Sequence, residues 1–340
     1  MNGVPAWAEG LSPRRRRVVD LFRRGQRDIV ATFERLDGDG SFGDHTWARP
    51  EGGGGTARVI EGGRVFERGG VNVSAVRGAS VPASLARAHP GIEGAPFFAT
   101  GISMVLHARN PFVPAFHANF RYFEVGSGAD PEVWWFGGGA DLTPAYPHAD
   151  DVRHFHGTLA AWCARHEHTD YATWKAVCDD YFTVRHRGEM RGVGGVFFDE
   201  LTGVEEARAG GDAIFERDIE CISDGIDTLT SAYVPLVERR AATPHGERER
   251  AWQALRRGRY VEFNLVYDRG TLFGLQTGGN IEAILMSMPP IASWSFDHHP
   301  EPGTPEAAAL AAFQPRDWLA GEADAAESAP NTHPQEVETR

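Results

Sequence analysis

Residues 117–144 read HANFRYFEVGSGADPEVWWFGGGADLTP, and the fold turns on this stretch. His117, Asn119 and Arg121 are spaced by two, which in a strand puts all three on one face. Phe120 and Tyr122 fall on the other face and suit a pleated, buried surface. Gly126, Gly128, Asp130 and Pro131 supply a turn. A second apolar run from Val133 to Phe136 follows, so the unit predicts a β-hairpin. It ends on Gly137, Gly138 and Gly139, then Asp141. Residues without side chains leave room for a bulky ligand to approach the backbone. An imidazole, an amide, a guanidinium and a carboxylate thus converge beside a glycine-lined gap. That is a site for something flat and anionic, or a well-satisfied sheet surface.

Working outward, residues 1–11 read as loose, and Ser12-Pro13 signals a helix start with Ser as cap and Pro in the first turn. Val18, Phe22, Ile29, Phe33 and Leu36 recur behind it at helical spacing. The basic run Arg14 to Arg17 reads as a solvated face, with an arm toward an acidic ligand or partner as the alternative. Residues 37–57, rich in Gly and Asp, predict a loop. Strands are expected over Arg58 to Phe66, Gly70 to Ser74 and Phe97 to His107, with residues 79–95 irregular. Beyond the hairpin, Asp150-Asp151 can cap a helix carrying Val152, Phe155, Leu159 and Trp162. A second helix is expected over 171–187, then a strand from Gly192 to Phe198. Helices follow near 205–222, 225–240 and 246–257. Tyr260 to Tyr267 alternates in character and predicts a strand, turning at Asp268-Arg269-Gly270 into a return over Leu272 to Leu275. Gly278-Gly279-Asn280 opens a short helix that Pro289-Pro290 stops. Residues 321–340 are acidic and Ala- and Pro-rich, and predict a disordered tail. Strands clustered at both ends with helices between indicate an α+β fold with a large, mainly antiparallel sheet. A single catalytic domain over 1–320 is expected.

Composition narrows the function. A chain of 340 residues with 41% apolar and 24% charged residues is ordinary for a soluble globular enzyme. Its net charge of -13 argues against nucleic acid, which needs a basic face. An anionic small molecule stays open, because a local arginine cluster can hold one. No apolar run is long enough to span a membrane, and the N-terminus has no apolar core of a secretory signal, so the cytoplasm is the default. The three cysteines, Cys163, Cys178 and Cys221, are scattered. They read as reduced, buried thiols and argue against an iron–sulfur cluster. No dinucleotide, P-loop or nucleophile-elbow signature is present.

His107, His117, His156 and His186 could together make a divalent metal site. None of the four forms an i, i+4 pair with another, and hydrogen-bonding roles for His156 and His186 are as well supported. His117 is the best acid/base candidate because it shares a face with Asn119 and Arg121. Arg121 and Arg191 are the carboxylate-holding candidates, since a guanidinium fork matches a carboxylate, or each makes an ordinary salt bridge. Asp141 can accept from ligand N–H groups or act as a turn residue. Backbone N–H groups at 278–280 can face an anion, or Asn280 can simply cap a helix.

Several long strings carry a resemblance: GVNVS (70–74), HARNP (107–111), HANFRYFE (117–124), WWFGGGADLTP (134–144), CDDYF (178–182), HRGEMRGVGG (186–195), GRYVEFNLVYDRGT (258–271) and ILMSMPP (284–290). Over about residues 12–318 the sequence resembles the oxygen-dependent coproporphyrinogen III oxidases of haem synthesis. The resemblance implies oxidative decarboxylation of two propionates of coproporphyrinogen III, giving protoporphyrinogen IX with molecular oxygen as oxidant. It implies a sheet covered by helices on both faces, a homodimer with the 260–295 region in its interface, and no flavin, haem or nicotinamide. It places substrate contacts at Ser103, Asn119, Phe120, Arg121, Gly278, Gly279 and Asn280. It makes His117 the proton donor, and has Asp141 and Arg191 hold pyrrole N–H groups and a carboxylate. It puts a divalent metal of bacterial relatives on His107, His117, His156 and His186, and leaves open whether that metal is required. Two positions depart from the family pattern: Asn280 stands where relatives usually carry Arg, and Ala108 replaces a usual Pro. Two other readings remain: a histidine-metal oxygenase or hydrolase acting on another substrate, and a porphyrin-binding protein without turnover.

Overall fold

The structure, a computed structural model, describes residues 5–50, 52–126, 131, 133–276 and 279–320. The expected tail over 321–340, Gly278 and most of the turn between the hairpin strands lie outside the described residues. Helix α1 (Pro13–Asp37) starts as its sequence signals, with Ser12 Oγ accepting from the Arg15 N–H. Strands β1 (Gly43–Ala48), β2 (Gly53–Glu61) and β3 (Phe66–Gly78) lead through the short helix α2 (Ala83–Ala88) to β4 (Phe97–Ala108), β5 (Ala115–Val125) and β6 (Val133–Thr143). Helices α3 (Ala149–Cys163) and α4 (Tyr171–Tyr181) follow. After them come a two-stranded ribbon, β7 (Thr183–Val184) with β8 (Glu189–Met190), and then β9 (Gly194–Phe198). The remainder is helical: α5 (Val204–Arg240), α6 (Glu247–Val266), α7 (Arg269–Gln276), α8 (Ile281–Leu285) and α9 (Pro305–Ala312).

One seven-stranded sheet runs β1-β2-β3-β4-β5-β6-β9, antiparallel at every step. The α+β expectation holds. Directly paired residues share a face, so the register sorts the side chains cleanly. Ile102, Met104, Phe116, Ala118, Phe120, Tyr122, Phe136 and Ala140 all point into one buried core. Against that face pack α1, on β3 and β4, and α5, on β5 and β6. The opposite face carries Ser103, His107, His117, Asn119, Arg121 and Asp141. There Met286, just past α8, sits on Gly70, and α6 meets the end of β4 through Gln253 and Arg257, which donate to the Ala108 carbonyl at 3.0 and 2.9 Å. Helices therefore cover both faces.

Several expectations give way. The Tyr260 to Tyr267 run is the end of α6, not a strand, and Leu272 to Leu275 lies in α7. Its alternating apolar letters misled. Trp252, Gln253, Arg256, Arg257, Tyr260, Phe263 and Asn264 are the buried set, at helical spacing, while Leu265 and Val266 are exposed. All described strands consequently lie before residue 199. Residues 37–57 hold β1 and the start of β2 rather than a loop, and 79–95 holds α2. The second helix stops at Tyr181, short of 187, and the two helices expected over 205–240 are one, broken at Gly211 (φ 51°). Asp151 does not cap α3; it accepts from Arg239 Nε at 2.8 Å and Arg240 Nε at 2.6 Å. The arginine run is solvated in part: Arg16 and Arg17 are exposed, Arg17 pairing with Glu216 at the surface, while Arg14 pairs with Asp212 and the half-buried Arg15 with Glu124. All three cysteines are free and buried. Among the described residues no helix is long and apolar enough to cross a membrane.

Candidate active site

The three central strands build the site by register. Ser103 pairs with Asn119 and Asn119 with Gly139; His117 pairs with Asp141; Arg121 pairs with Gly101 and Gly137. His117 Nδ1 lies 2.7 Å from Asp141 Oδ1. An ionised carboxylate only accepts, so Nδ1 carries the hydrogen, and Nε2 has no hydrogen-bond partner among the described residues, in a side chain that is 20% exposed. Burial alone would raise the Asp141 pKa, but the Arg191 guanidinium and then His117 hold it below the ordinary carboxylate value. Arg191 donates to Oδ2 through Nε at 3.3 Å, and Nη2 lies 3.0 Å from both oxygens. Its other nitrogen, Nη1, donates to Asn264 Oδ1 at 2.5 Å. The guanidinium is boxed by Phe182, Tyr260 and Phe263 at 4.1, 4.7 and 4.8 Å from their ring centres. Asp141 is 1% exposed and Arg191 2%, so this pair is interior.

Arg121 is the accessible arginine. Nη1 donates to Asn119 Oδ1 at 3.1 Å, and Nη2 is paired with Asp199, which follows β9. Asp199 also takes Arg269 of α7, at 3.1 Å. The glycine gap is already occupied. A Cβ on Gly137 would lie 2.9 Å from Arg121 Nη2, one on Gly138 2.5 Å from the Phe120 ring, and one on Gly139 3.1 Å from the Phe197 ring. These glycines admit neighbouring side chains rather than leaving a bare floor. Phe120 itself points into the core, edge-on to Trp162 with ring centres 5.8 Å apart, so its side chain is not on the site's face.

The four histidines do not gather. His107 Nε2 donates to the Ser287 carbonyl at 2.9 Å, and burial pushes its pKa down to about 3. His156 Nε2 donates to Val193 O at 3.1 Å while Nδ1 accepts from the Tyr171 hydroxyl at 2.8 Å; burial likewise takes it to about 3. His186, half-exposed, is held by Glu262 at 2.8 Å and Tyr267 at 2.7 Å. Among the described residues no three His, Cys, Asp or Glu side chains stand close enough to hold one ion. With His156 using both nitrogens, the expected four-histidine metal set does not fit this chain. Gly279 and Asn280 are also committed: the Gly279 N–H bonds Gly274 O at 2.8 Å, and Asn280 Oδ1 caps α8 by accepting from the Ala283 N–H at 2.9 Å.

A family model for coproporphyrinogen III oxidase matches residues 17–318. The chain belongs to the coproporphyrinogen III oxidase family. The match takes in every described strand and helix α1 for most of its length. The family is one of oxidoreductases of haem biosynthesis with a tetrapyrrole substrate, and on this sheet face Arg121 is a partly exposed guanidinium. Three residues escaped the sequence reading. Asn72, paired with Ser103, could have been found from its alternation with Val71 and Val73. Asp199 and Asn264 carry no local signal, because only the packing of β9 and α6 brings them to Arg121 and Arg191.

Proposed function

We propose that this protein carries out the oxygen-dependent oxidative decarboxylation of two propionates of coproporphyrinogen III, giving the vinyl groups of protoporphyrinogen IX, in the cytoplasm. The observation that carries this reading is the chain Asn264–Arg191–Asp141–His117, which ends at a partly exposed imidazole on the same sheet face as Asn119 and Arg121. Each propionate, with one oxygen molecule and one proton, becomes a vinyl group, carbon dioxide and hydrogen peroxide. The Cβ–H and the bond to the carboxyl carbon break, and the electron pair reduces oxygen. Asp141 already accepts four hydrogen bonds, two at each oxygen, which fills its acceptor sites. It therefore acts through His117, fixing the tautomer and stabilising the charged imidazole, as a buried carboxylate does beside a catalytic histidine. His117 Nε2 moves the proton, Arg121 and Asn119 orient a propionate, and no step needs the four histidines as one metal site.

Assembly as a homodimer through the 260–295 region is part of the same proposal. Leu265, Val266, Leu275, Ile281, Ile291 and Trp294, all in that region, are 43–58% exposed, an apolar surface of the kind that marks an interface. The test is incubation of the purified protein with coproporphyrinogen III, aerobically and anaerobically, with and without chelator, with products separated as porphyrins. Vinyl product only with oxygen, and undiminished by chelator, is expected. Binding of the ring without release of carbon dioxide would instead make the protein a porphyrin carrier.

A further inference from the structure

Arg121 and Arg269 share one carboxylate, that of Asp199. Arg121 Nη2 holds one oxygen, and Arg269 Nη2 lies 3.1 Å from the other. Both guanidiniums lie over the Phe197 ring, at 5.4 and 5.8 Å, and Arg269 also lies over Tyr181 at 4.8 Å. Tyr181 and Phe197 are themselves stacked, with ring centres 4.4 Å apart, so the two cations rest on one aromatic platform. This is the construction of a carboxylate seat: two forks, a flat floor, and partial access to water, the Asp199 side chain being 47% exposed.

We propose that Asp199 is an internal stand-in for a substrate carboxylate, a competitor for the Arg121–Arg269 seat that sets how tightly the propionate-bearing ring is held. The proposal rests on the function proposed above. Arg121 has one terminal nitrogen on Asn119 and the other on Asp199. The two hydrogens of Nη2 go to Asp199 and, at 3.5 Å, to the Phe198 carbonyl, so a propionate that binds through Nη2 has to displace one of them, and the half-exposed Asp199 side chain can leave where a backbone carbonyl cannot. The exchange swaps one carboxylate for another of the same chemistry. Its balance is set by small terms, since a half-exposed ion pair contributes only modestly. It also keeps the seat filled when substrate is absent, so two guanidiniums never face each other unneutralised. On product release Asp199 returns and displaces the departing carboxylate.

The test is binding of coproporphyrin III, the oxidised and unreactive tetracarboxylate, followed by quenching of tryptophan fluorescence. Wild type, Asp199→Asn and Asp199→Ser are compared at low and high salt, with the tetramethyl ester as control. Both variants are expected to bind the free acid roughly two- to fivefold more tightly than wild type, the range one exposed charge pair spans. The gain should shrink at high salt and be absent with the ester. The same or weaker binding by both variants, or an equal gain with the ester, overturns the competitor role. That result would leave the proposed function standing if wild type binds the acid and Arg121→Gln weakens it. Failure of the wild type to bind the acid at all overturns both.

Discussion

Replacing Arg191 by Met keeps the fit of the aromatic box formed by Phe182, Tyr260 and Phe263 but strands the Asp141 carboxylate in the interior. Asp141 is 1% exposed, and the guanidinium supplies three of its four hydrogen bonds, at 3.0, 3.0 and 3.3 Å. Two unit charges near 4 Å interact by about 4 kcal/mol at an effective dielectric near 20. Breaking a buried pair by removing one partner costs about 3–5 kcal/mol, which agrees. A large share of a total stability of about 5–15 kcal/mol is therefore at stake. Urea unfolding followed by the fluorescence of the nine tryptophans reads it directly. The sign with pH follows from the shift. In the wild type Asp141 is depressed, so its contribution is fully present above about pH 4 and is lost below it. Without Arg191, burial, the largest influence on this group, raises its pKa instead. The variant then recovers relative to the wild type as pH falls from 7 toward 5. The double variant with Asp141→Asn, which removes the stranded charge, should be more stable than Arg191→Met alone. A cost under about 1 kcal/mol at pH 7, or a cost unchanged at pH 5, would refute the reasoning.

Two further outcomes follow. Gly137→Ala puts a methyl group 3.0 Å from the Arg121 Cζ, forcing the guanidinium off its seat. KM should rise by about tenfold or more, with a smaller change in kcat; an unchanged KM would show that Arg121 does not hold substrate. His107 and His156 are pushed down to about 3 by burial, so they stay neutral in the fold while the unfolded chain protonates near its ordinary value. Stability should therefore fall between about pH 6.5 and pH 4, by up to ~1.4 kcal/mol per pH unit for each histidine. His156→Gln should flatten that slope in pH-dependent unfolding; an identical slope in the variant would remove His156 from the account.

What the sequence made legible was whatever a single strand or helix decides. The hairpin from Ala115 to Thr143 was readable because each residue alternates between core and site, so His117, Asn119 and Arg121 were correctly placed on one face. Ser12 and Asn280 were readable as caps because capping is local. The edge strand β1 was not, because its side chains are nearly all exposed and it has no apolar alternation to see. The end of α6 was misread because its aromatic and branched residues fit a period of two as well as one of 3.6. Only the longer run back to Trp252 distinguishes the two. The partners of the charged residues were beyond reach for a different reason. That Arg191 holds Asp141, that Asp199 holds Arg121, and that the four histidines lie apart are all decided by how distant elements dock.

The order of the sheet also sets a timetable for synthesis. Strands β1 to β6 each pair with the next in sequence, so residues 43–143 can zip together as they leave the ribosome. The outer edge of β6 must wait for β9, which begins at Gly194. At about 5–20 residues per second the wait lasts roughly 3–10 seconds. Throughout it, the Gly138 to Leu142 edge of β6 offers unpaired backbone to any passing strand, and Asp141 lacks Arg191. Nascent chains arrested before β9 emerges are expected to recruit chaperones through this edge, and chains arrested after it to release them.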